Sequence, residues 1–394
     1  MRIALTIHAL FGGGAERLMS QLATRWSEAG REIHLVTWST PETDQYSVPP
    51  EVRRHGLGLL AASQSRLRGL IANLRRVKML RRTLRSIQPD LIVSFCDQMN
   101  IVTLQAARKL KVPVIISEHS NPAKQQLNRI WEVWRSRNYP HCSACVVLTD
   151  EIARYMQRWV SADRVRVIPA AIAPPTEHAQ LTRSEALVLA VGRLSPEKGF
   201  DLLIEAWRKI HLQLPGWQLH IAGAGLEHAS LTEQALDLPS VKLLGWIPNA
   251  WPLYQQASMF VLPSRYEGFP IALVEALSQG CPSIATRCTE ATQRSPLSTV
   301  LQLVDTESSD QLAAAILQFA QHPDRRKQLS AAGIQASSDF HWDKIGVLWD
   351  QLLFGEWIGT IVPIICLDGT NGPILPGCQR CTTNSCNSHL FAGV

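Results

Sequence analysis

The chain has 394 residues, 46% of them hydrophobic and 18% charged, with 39 Lys+Arg against 33 Asp+Glu and a formal charge of +6. That length exceeds what one hydrophobic core usually serves and points to two domains. The composition excludes a disordered chain, a collagen and a disulfide-stapled miniprotein.

Short apolar runs alternate with helical patterns from the start. Ile3–Ile7 reads as a strand, followed by Gly12-Gly13-Gly14 and an amphipathic helix from Ala15 to Gly30. Ile33–Trp38, Leu91–Phe95, Val114–Ser117 and Cys145–Thr149 read as further strands. Continuous apolar runs separated by helices are the mark of buried parallel strands. Residues 169–185, with Pro169, Pro174 and Pro175, break the pattern as a linker would. A second series follows, with strands at Leu187–Val191, Gln218–Ala222, Val241–Leu244, Met259–Leu262 and Ser283–Thr286. Helical stretches lie near 199–212, 226–237, 249–257 and 270–279, and three more near 309–321, 324–337 and 342–354. The expected architecture is α/β: two Rossmann-like, doubly wound domains, 1–175 and 185–340, with a closing helix over 341–354. Ligand sites in such sheets lie at the carboxyl ends of the strands, so domains that face each other share one cleft.

Charge is distributed unevenly. Residues 1–180 carry 25 Lys+Arg and 14 Asp+Glu, whereas 181–394 carry 14 and 19. Such asymmetry implies different ligands for the two halves, with phosphates attracted to the basic one. No stretch is apolar enough for long enough to span a bilayer, and the N-terminus lacks a signal-peptide h-region. The chain is therefore expected to stay in the cytoplasm. Cys96, Cys142, Cys145, Cys281 and Cys288 are scattered and read as reduced, mostly buried thiols.

Three segments carry chemistry. In Gly192-Arg-Leu-Ser-Pro-Glu-Lys-Gly199, Arg193 and Lys198 place two cations beside a helix start, where backbone N–H groups already favour an anion. An Arg–Lys pair alone more often belongs to a solvated basic loop. Ser264-Arg-Tyr-Glu-Gly-Phe-Pro270 leaves a strand and enters a helix; Glu267 sits in the loop, and Glu275 sits among apolar helix residues. A buried carboxylate needs a partner, for which sugar hydroxyls are suitable. Ala222-Gly223-Ala224-Gly225 follows a strand and permits close approach of a ligand. Gly12–Arg17 lacks the Gly-x-Gly-x-x-Gly spacing, which argues against a dinucleotide oxidoreductase.

In order and spacing these segments resemble the retaining glycosyltransferases of family 4, which have the GT-B architecture. The matching pieces are residues 192–199, 222–225 and the Glu267–Glu275 pair, with Gly13–Arg17, Ser117-Glu-His119 and Val146–Thr149 in the first domain. The resemblance implies that Arg193 and Lys198 hold the donor diphosphate and that Glu275 binds the ribose. Glu267 and His119 would contact the donor sugar. Gly268, Phe269 and Pro270 would offer backbone groups, and Gly13, Gly14, Gly223 and Gly225 would border the donor. Breaking a sugar–diphosphate bond develops negative charge on the leaving phosphate, which such cations stabilise. The chain has no Asp-x-Asp motif, so neither a metal nor another cofactor is expected, and the nucleotide-diphosphate sugar acts as co-substrate.

Residues 52–89 hold ten cations and no anion. Leu67, Leu70, Leu74, Val77, Leu84 and Ile87 fall on one helical face, so the segment reads as a basic amphipathic helix of the membrane-surface type. Arg68, Arg75, Arg76, Lys78, Arg81, Arg82 and Arg85 are the candidate acceptor- or membrane-binding cations. A core-packed helix with a solvated face is the plainer alternative. Gly13–Arg17, Ser117–Pro122 and Ser264–Pro270 look most like bacterial enzymes that extend polyprenyl-diphosphate-linked oligosaccharides, notably those adding N-acetylgalactosamine. That implies a lipid-linked diphosphate acceptor, an anionic membrane surface, no nucleic-acid partner, and a peripheral location on the inner membrane face.

Two regions depart from the family. Residues 287–298 lack its Gly-Pro-x-Glu segment and Gly-rich turn, and Pro169–Ile172 replaces a stretch that often contains Asn and a second Pro. These changes flank the expected donor cleft, weaken any inference about which sugar is used and leave room for a non-catalytic nucleotide-sugar scaffold; an enzyme of the same class with a soluble acceptor is the other alternative. The tail over 355–394 is unlike the family; Cys366, Cys378, Cys381 and Cys386 suggest a zinc site, against the expected disordered extension.

Overall fold

The computed structural model describes residues 1–60, 66–125, 127–173 and 186–355, without the side chains of residues 66–68 and 70. Met1–Trp349 form one compact unit, and the chain from Asp350 belongs to a second. The expectations for Leu67, Arg68, Leu70, Pro174, Pro175 and the tail cysteines lie outside the described residues.

The first half alternates β1 (Arg2–Ile7), α1 (Gly14–Glu28), β2 (Glu32–Thr37), β3 (Arg53–Gly56), α2 (Arg66–Ile87), β4 (Leu91–Phe95) and α3 (Asp97–Ala107). It continues through β5 (Val114–Ser117), α4 (Arg129–Asn138), β6 (Ala144–Val147), α5 (Asp150–Met156) and β7 (Val165–Val167). The seven strands pair in the order β3-β2-β1-β4-β5-β6-β7, all parallel. The second half runs β8 (Leu187–Val191), α6 (Phe200–Ile210), β9 (Gln218–Ala222), α7 (His228–Gln234), β10 (Val241–Gly245), α8 (Trp251–Gln256), β11 (Met259–Leu262) and α9 (Ile271–Ser278). Then come β12 (Ser283–Thr286), α10 (Glu290–Gln293), β13 (Leu301–Val304), α11 (Ser309–Gln321), α12 (Pro323–Ser337) and α13 (Trp342–Phe354). Its six strands pair as β10-β9-β8-β11-β12-β13, again all parallel. This is the GT-B arrangement of two Rossmann-like domains.

Burial explains which strands are legible. The central strands β1, β4, β5, β8, β11 and β12 are buried along nearly their whole length. The sequence pattern misses β3, β7 and β13, which are all sheet edges. An edge strand is covered less and tolerates charge; β3 reads Arg-Arg-His-Gly.

In each sheet the strand order reverses beside the first strand, β1 against β4 and β8 against β11. Crevices open at the carboxyl ends of strands at such switch points. The two halves meet twice along the chain: Ile172 forms a parallel bridge to His341, its N–H donates to the Phe340 carbonyl, and its own carbonyl accepts from Trp342. Beyond that crossing α13 brings Trp349 back against Trp26 and Phe95 of the first half.

The basic helix α2 differs from its sequence reading. Val77, Leu80, Leu84 and Ile87 are buried, but Leu74 is 53% exposed and Ile71 66%. The first turns border the interdomain cleft through Gly69, Asn73 and Arg76, so no core layer covers the face at Leu74. Several cations are also engaged. Arg53 and Arg54, on β3, pair with Glu32 and Asp44. Arg76 donates to the Leu59 carbonyl and Asn73 and lies over the Trp38 ring at 4.7 Å. Arg81 donates to the carbonyls of Gln105 and Ala106, closing the C-terminus of α3 where a cation is favoured. Arg75, Lys78, Arg82 and Arg85 remain exposed. No helix among the described residues is long and apolar enough to cross a membrane.

Candidate active site

The cleft between the two sheets has a volume of about 1270 Å³. Its walls are the segments that leave the strands at the two switch points: Gly12–Arg17 after β1, Cys96–Met99 after β4, Gly192–Arg193 after β8 and Tyr266–Ala272 after β11. The N-termini of α1, α3 and α9 therefore open onto it. Each carries partial positive charge, so the cleft suits an anion.

Lys198 and Glu267 meet within it. The Lys198 ammonium donates to both carboxylate oxygens at 2.7 and 2.9 Å, and Ser264 donates to Oε1 at 2.7 Å. A carboxylate fixed by three such bonds is oriented before any ligand arrives. Gly199, at φ +65°, turns the chain from this lysine into α6, a conformation that favours glycine. Arg193 is exposed at the cleft surface and faces Glu16 across it closely enough for the two charges to interact. Burial works to raise the Glu16 pKa, but His8, a backbone hydrogen bond and the Arg193 charge together hold the carboxyl below its ordinary value.

His119 stands on the opposite wall, its ring tilted against Phe95 at 4.3 Å between centroids and sharing a hydrogen bond with Ser117 Oγ at 3.1 Å. Burial pushes its pKa down to about 4, so its ring is neutral at physiological pH. Next to it, Glu118 is fully buried and pushed up to about 7 by desolvation, although Arg135 and the hydroxyl of Tyr139 oppose the shift.

Glu275 lies deeper, 4% exposed. Tyr254 donates to its Oε2 at 3.1 Å, and Arg17 donates to its Oε1 from the other side of the cleft. Burial raises the Glu275 pKa while Arg17 opposes it.

The other sequence candidates separate into two groups. Gly13, Gly14, Gly223, Gly268, Phe269 and Pro270 line the cleft. A side chain at Gly14 would strike Ile271, and one at Gly268 would strike the His119 carbonyl, so both glycines allow the halves to approach. Gly225 is not among the residues that line the cleft; the space beside its Cα is filled by the Leu194 carbonyl, so its lack of a side chain serves turn-against-turn packing. Of the helix cations with described side chains, Arg76 borders the cleft, whereas Arg75, Lys78, Arg81, Arg82 and Arg85 do not.

The sequence reading gave no separate role to Arg17, Tyr254, Ser264 or Glu16. Arg17 and Glu16 stood inside a quoted motif; Tyr254 had no motif around it. The altered 287–298 segment also acquires a place. None of its residues lines the cleft. Glu290 accepts from the Glu151 N–H at 2.5 Å and from Arg154 at 3.0 Å, and Arg294 pairs with Asp150 at 2.7 Å, so the segment clasps α5 of the first half.

The comparisons with known proteins agree with this geometry. Residues 13–171 match the glycosyl transferase 4-like domain, and residues 185–322 match glycosyl transferases group 1. The chain belongs to the family 4 glycosyltransferases. It is 29% identical over 279 residues to a GalNAc-alpha-(1->4)-GalNAc-alpha-(1->3)-diNAcBac-PP-undecaprenol alpha-1,4-N-acetyl-D-galactosaminyltransferase of Campylobacter jejuni, covering 70% of this chain and 77% of that protein. It is 28% identical to the amylovoran biosynthesis glycosyltransferase AmsD of Erwinia amylovora, over 66% of this chain and 69% of that one. Sucrose-phosphate synthase from Thermosynechococcus elongatus superposes with a TM-score of 0.78 at 21% identity, over 91% of this chain and 100% of that one. Anabaena HepE in complex with UDP-glucose does so at 0.69 and 17%, over 90% and 99%. The protein is a glycosyltransferase.

Proposed function

We propose that this glycosyltransferase moves a sugar, with N-acetylgalactosamine the first candidate, from a UDP-sugar to a polyprenyl-diphosphate-linked glycan at the inner face of the cytoplasmic membrane, with retention of configuration and without a metal. The observation that carries the reading is the Lys198–Glu267 pair, with Arg193 beside it, in a cleft onto which three helix N-termini open. Arg193 and Lys198 bind the donor diphosphate and neutralise the charge that grows on it as the glycosidic bond breaks. One well-placed donor of this kind commonly contributes about 3–4 kcal/mol to the transition state. Glu267, oriented by Lys198 and Ser264, accepts from a hydroxyl of the donor sugar. Neutral His119 faces the same sugar, able to accept one hydrogen bond and donate another. The acceptor hydroxyl attacks on the face that the diphosphate leaves, and the departing phosphate takes its proton.

The lipid-linked acceptor is supported by the undecaprenol-linked substrate in the name of the Campylobacter relative and by the exposed cations of α2. Residues 287–298 clasp the first half, and the Cys288 carbonyl accepts from the Glu267 N–H at 3.4 Å, so the altered segment supports the site carboxylate; turnover decides between the enzyme and the scaffold. The test is a screen of UDP- and GDP-sugars for nucleotide release, with and without undecaprenyl-diphosphate-linked glycan. Turnover should require the lipid-linked acceptor, survive EDTA, give the retained anomer by NMR, and fall by about 10²–10³ in kcat for Lys198→Ala. Equal turnover with a free glycan would favour a soluble acceptor, and nucleotide binding without turnover would favour the scaffold.

A further inference from the structure

The Arg17–Glu275 pair joins residues 258 positions apart, one on α1 of the first half and one on α9 of the second. The two helices meet tightly: a side chain at Gly14 would strike Ile271, the first residue of α9. Tyr254, from α8, donates to the other Glu275 oxygen, and Tyr46, beyond β2, lies against the Arg17 guanidinium at 5.7 Å. These are the polar groups that face the carboxylate or its partner, and Arg17 is the cation among them.

An ionised carboxylate has about four acceptor sites. Arg17 and Tyr254 each occupy one, which leaves two for hydroxyl groups arriving through the cleft that Glu275 lines. The carboxylate can accept two such bonds only while ionised, and a carboxyl this deeply buried takes up a proton unless a cation stands beside it. That cation comes from the opposite domain.

We propose that Arg17 is a positioning residue for the donor: it keeps Glu275 ionised and aimed, so the nucleotide's ribose finds a competent acceptor only when the two halves are together. This rests on the reading of Glu275 as the ribose-binding group. It makes the donor site a property of both domains, although Glu275 and the phosphate-binding cations belong to one.

The experiment titrates UDP, or GDP if it binds more tightly, into the full-length protein between pH 6 and pH 9, with Arg17→Gln, Arg17→Lys, Glu275→Gln and the Arg17→Gln/Glu275→Gln double variant. Affinity is expressed relative to wild type at each pH, which cancels the titration of the nucleotide itself. Without Arg17 the Glu275 carboxyl protonates at higher pH. Arg17→Gln should therefore bind about tenfold more weakly at pH 6 and recover toward wild type by pH 9, one unit of upward shift being a tenfold loss below it. Arg17→Lys should restore most of the loss, Glu275→Gln should be weak at every pH, and the double variant should be no weaker than Glu275→Gln. The double variant leaves no uncompensated buried charge and so guards against failure of Arg17→Gln to fold. A loss in Arg17→Gln that is equal at all pH and not rescued by lysine, or no loss at all, overturns the proposal. Full affinity in Glu275→Gln instead overturns the ribose reading, and binding of neither nucleotide overturns both.

Discussion

Glu118 and His119 are neighbours that the same burial pushes in opposite directions. Glu118 rises to about 7 from 4.5, so its protonated form is favoured in the folded state. Its contribution to stability is present at low pH and is lost as pH rises between about 4.5 and 7. His119 falls to about 4 from 6.5, so acidification across that window charges it in the unfolded chain first and costs stability. The two slopes oppose each other. Relative to wild type, Glu118→Gln should then lose stability on acidification from pH 7 to 4.5, and His119→Asn should gain it, by something on the order of 2 kcal/mol each. Thermal melts across that range check both signs. The surroundings of these groups explain what was legible. Glu267, Glu275, Lys198 and His119 stood in spaced motifs. Their partners Tyr254 and Arg17 on Glu275, and Arg135 and Tyr139 on Glu118, come from other elements, and such contacts exist only after the chain has folded.

Helix α2 shows the same limit one scale up. Its period and charge were readable, but the number of free cations was not. Arg81 closes α3 and Arg76 lies on Trp38, whereas Arg75, Lys78, Arg82 and Arg85 face outward. The two sets should respond differently. Charge reversal of the outward four should raise the KM for lipid-linked acceptor about tenfold or more, since an outward basic row attracts anionic lipid at about 1 kcal/mol per cation. It should leave the melting temperature and UDP affinity near wild type. Arg81→Ala should instead cost about 1–2 kcal/mol of stability, through the loss of two charge-assisted bonds to carbonyls. Acceptor kinetics beside thermal unfolding separates the two sets. The edge strands are the complementary case: β3, β7 and β13 form because a neighbour offers its open ladder, a cause that leaves little apolar signal of its own.

Across the whole molecule, the halves are held by several contacts of different character. Arg17–Glu275 lies within the cleft, and the Glu290–Arg154 and Arg294–Asp150 pairs lie outside its lining. Glu290 is the better-buried member of the outer set and also accepts from the α5 N-terminus. Glu290→Ala should weaken closure by roughly 1 kcal/mol, more than a single exposed pair provides. Small-angle scattering should then show an expanded nucleotide-free protein that UDP contracts again. Unchanged scattering would mean that the outer clasp does not govern closure. The two-domain plan itself was readable from the alternation of strands and helices, whereas the clasp was not, because it occupies the segment where the sequence leaves its family's pattern.

The pairing of Ile172 with His341 is a junction of a different kind from the ion pairs. Ile172, at the end of the first half, is bonded through its own N–H and carbonyl to Phe340 and Trp342, at the end of the second. Main-chain groups are present whatever side chain a position carries. The ion pairs across the cleft and at its rim can each be erased by one substitution, whereas this backbone junction is indifferent to side-chain identity and keeps the two halves in one register while the residues around it vary.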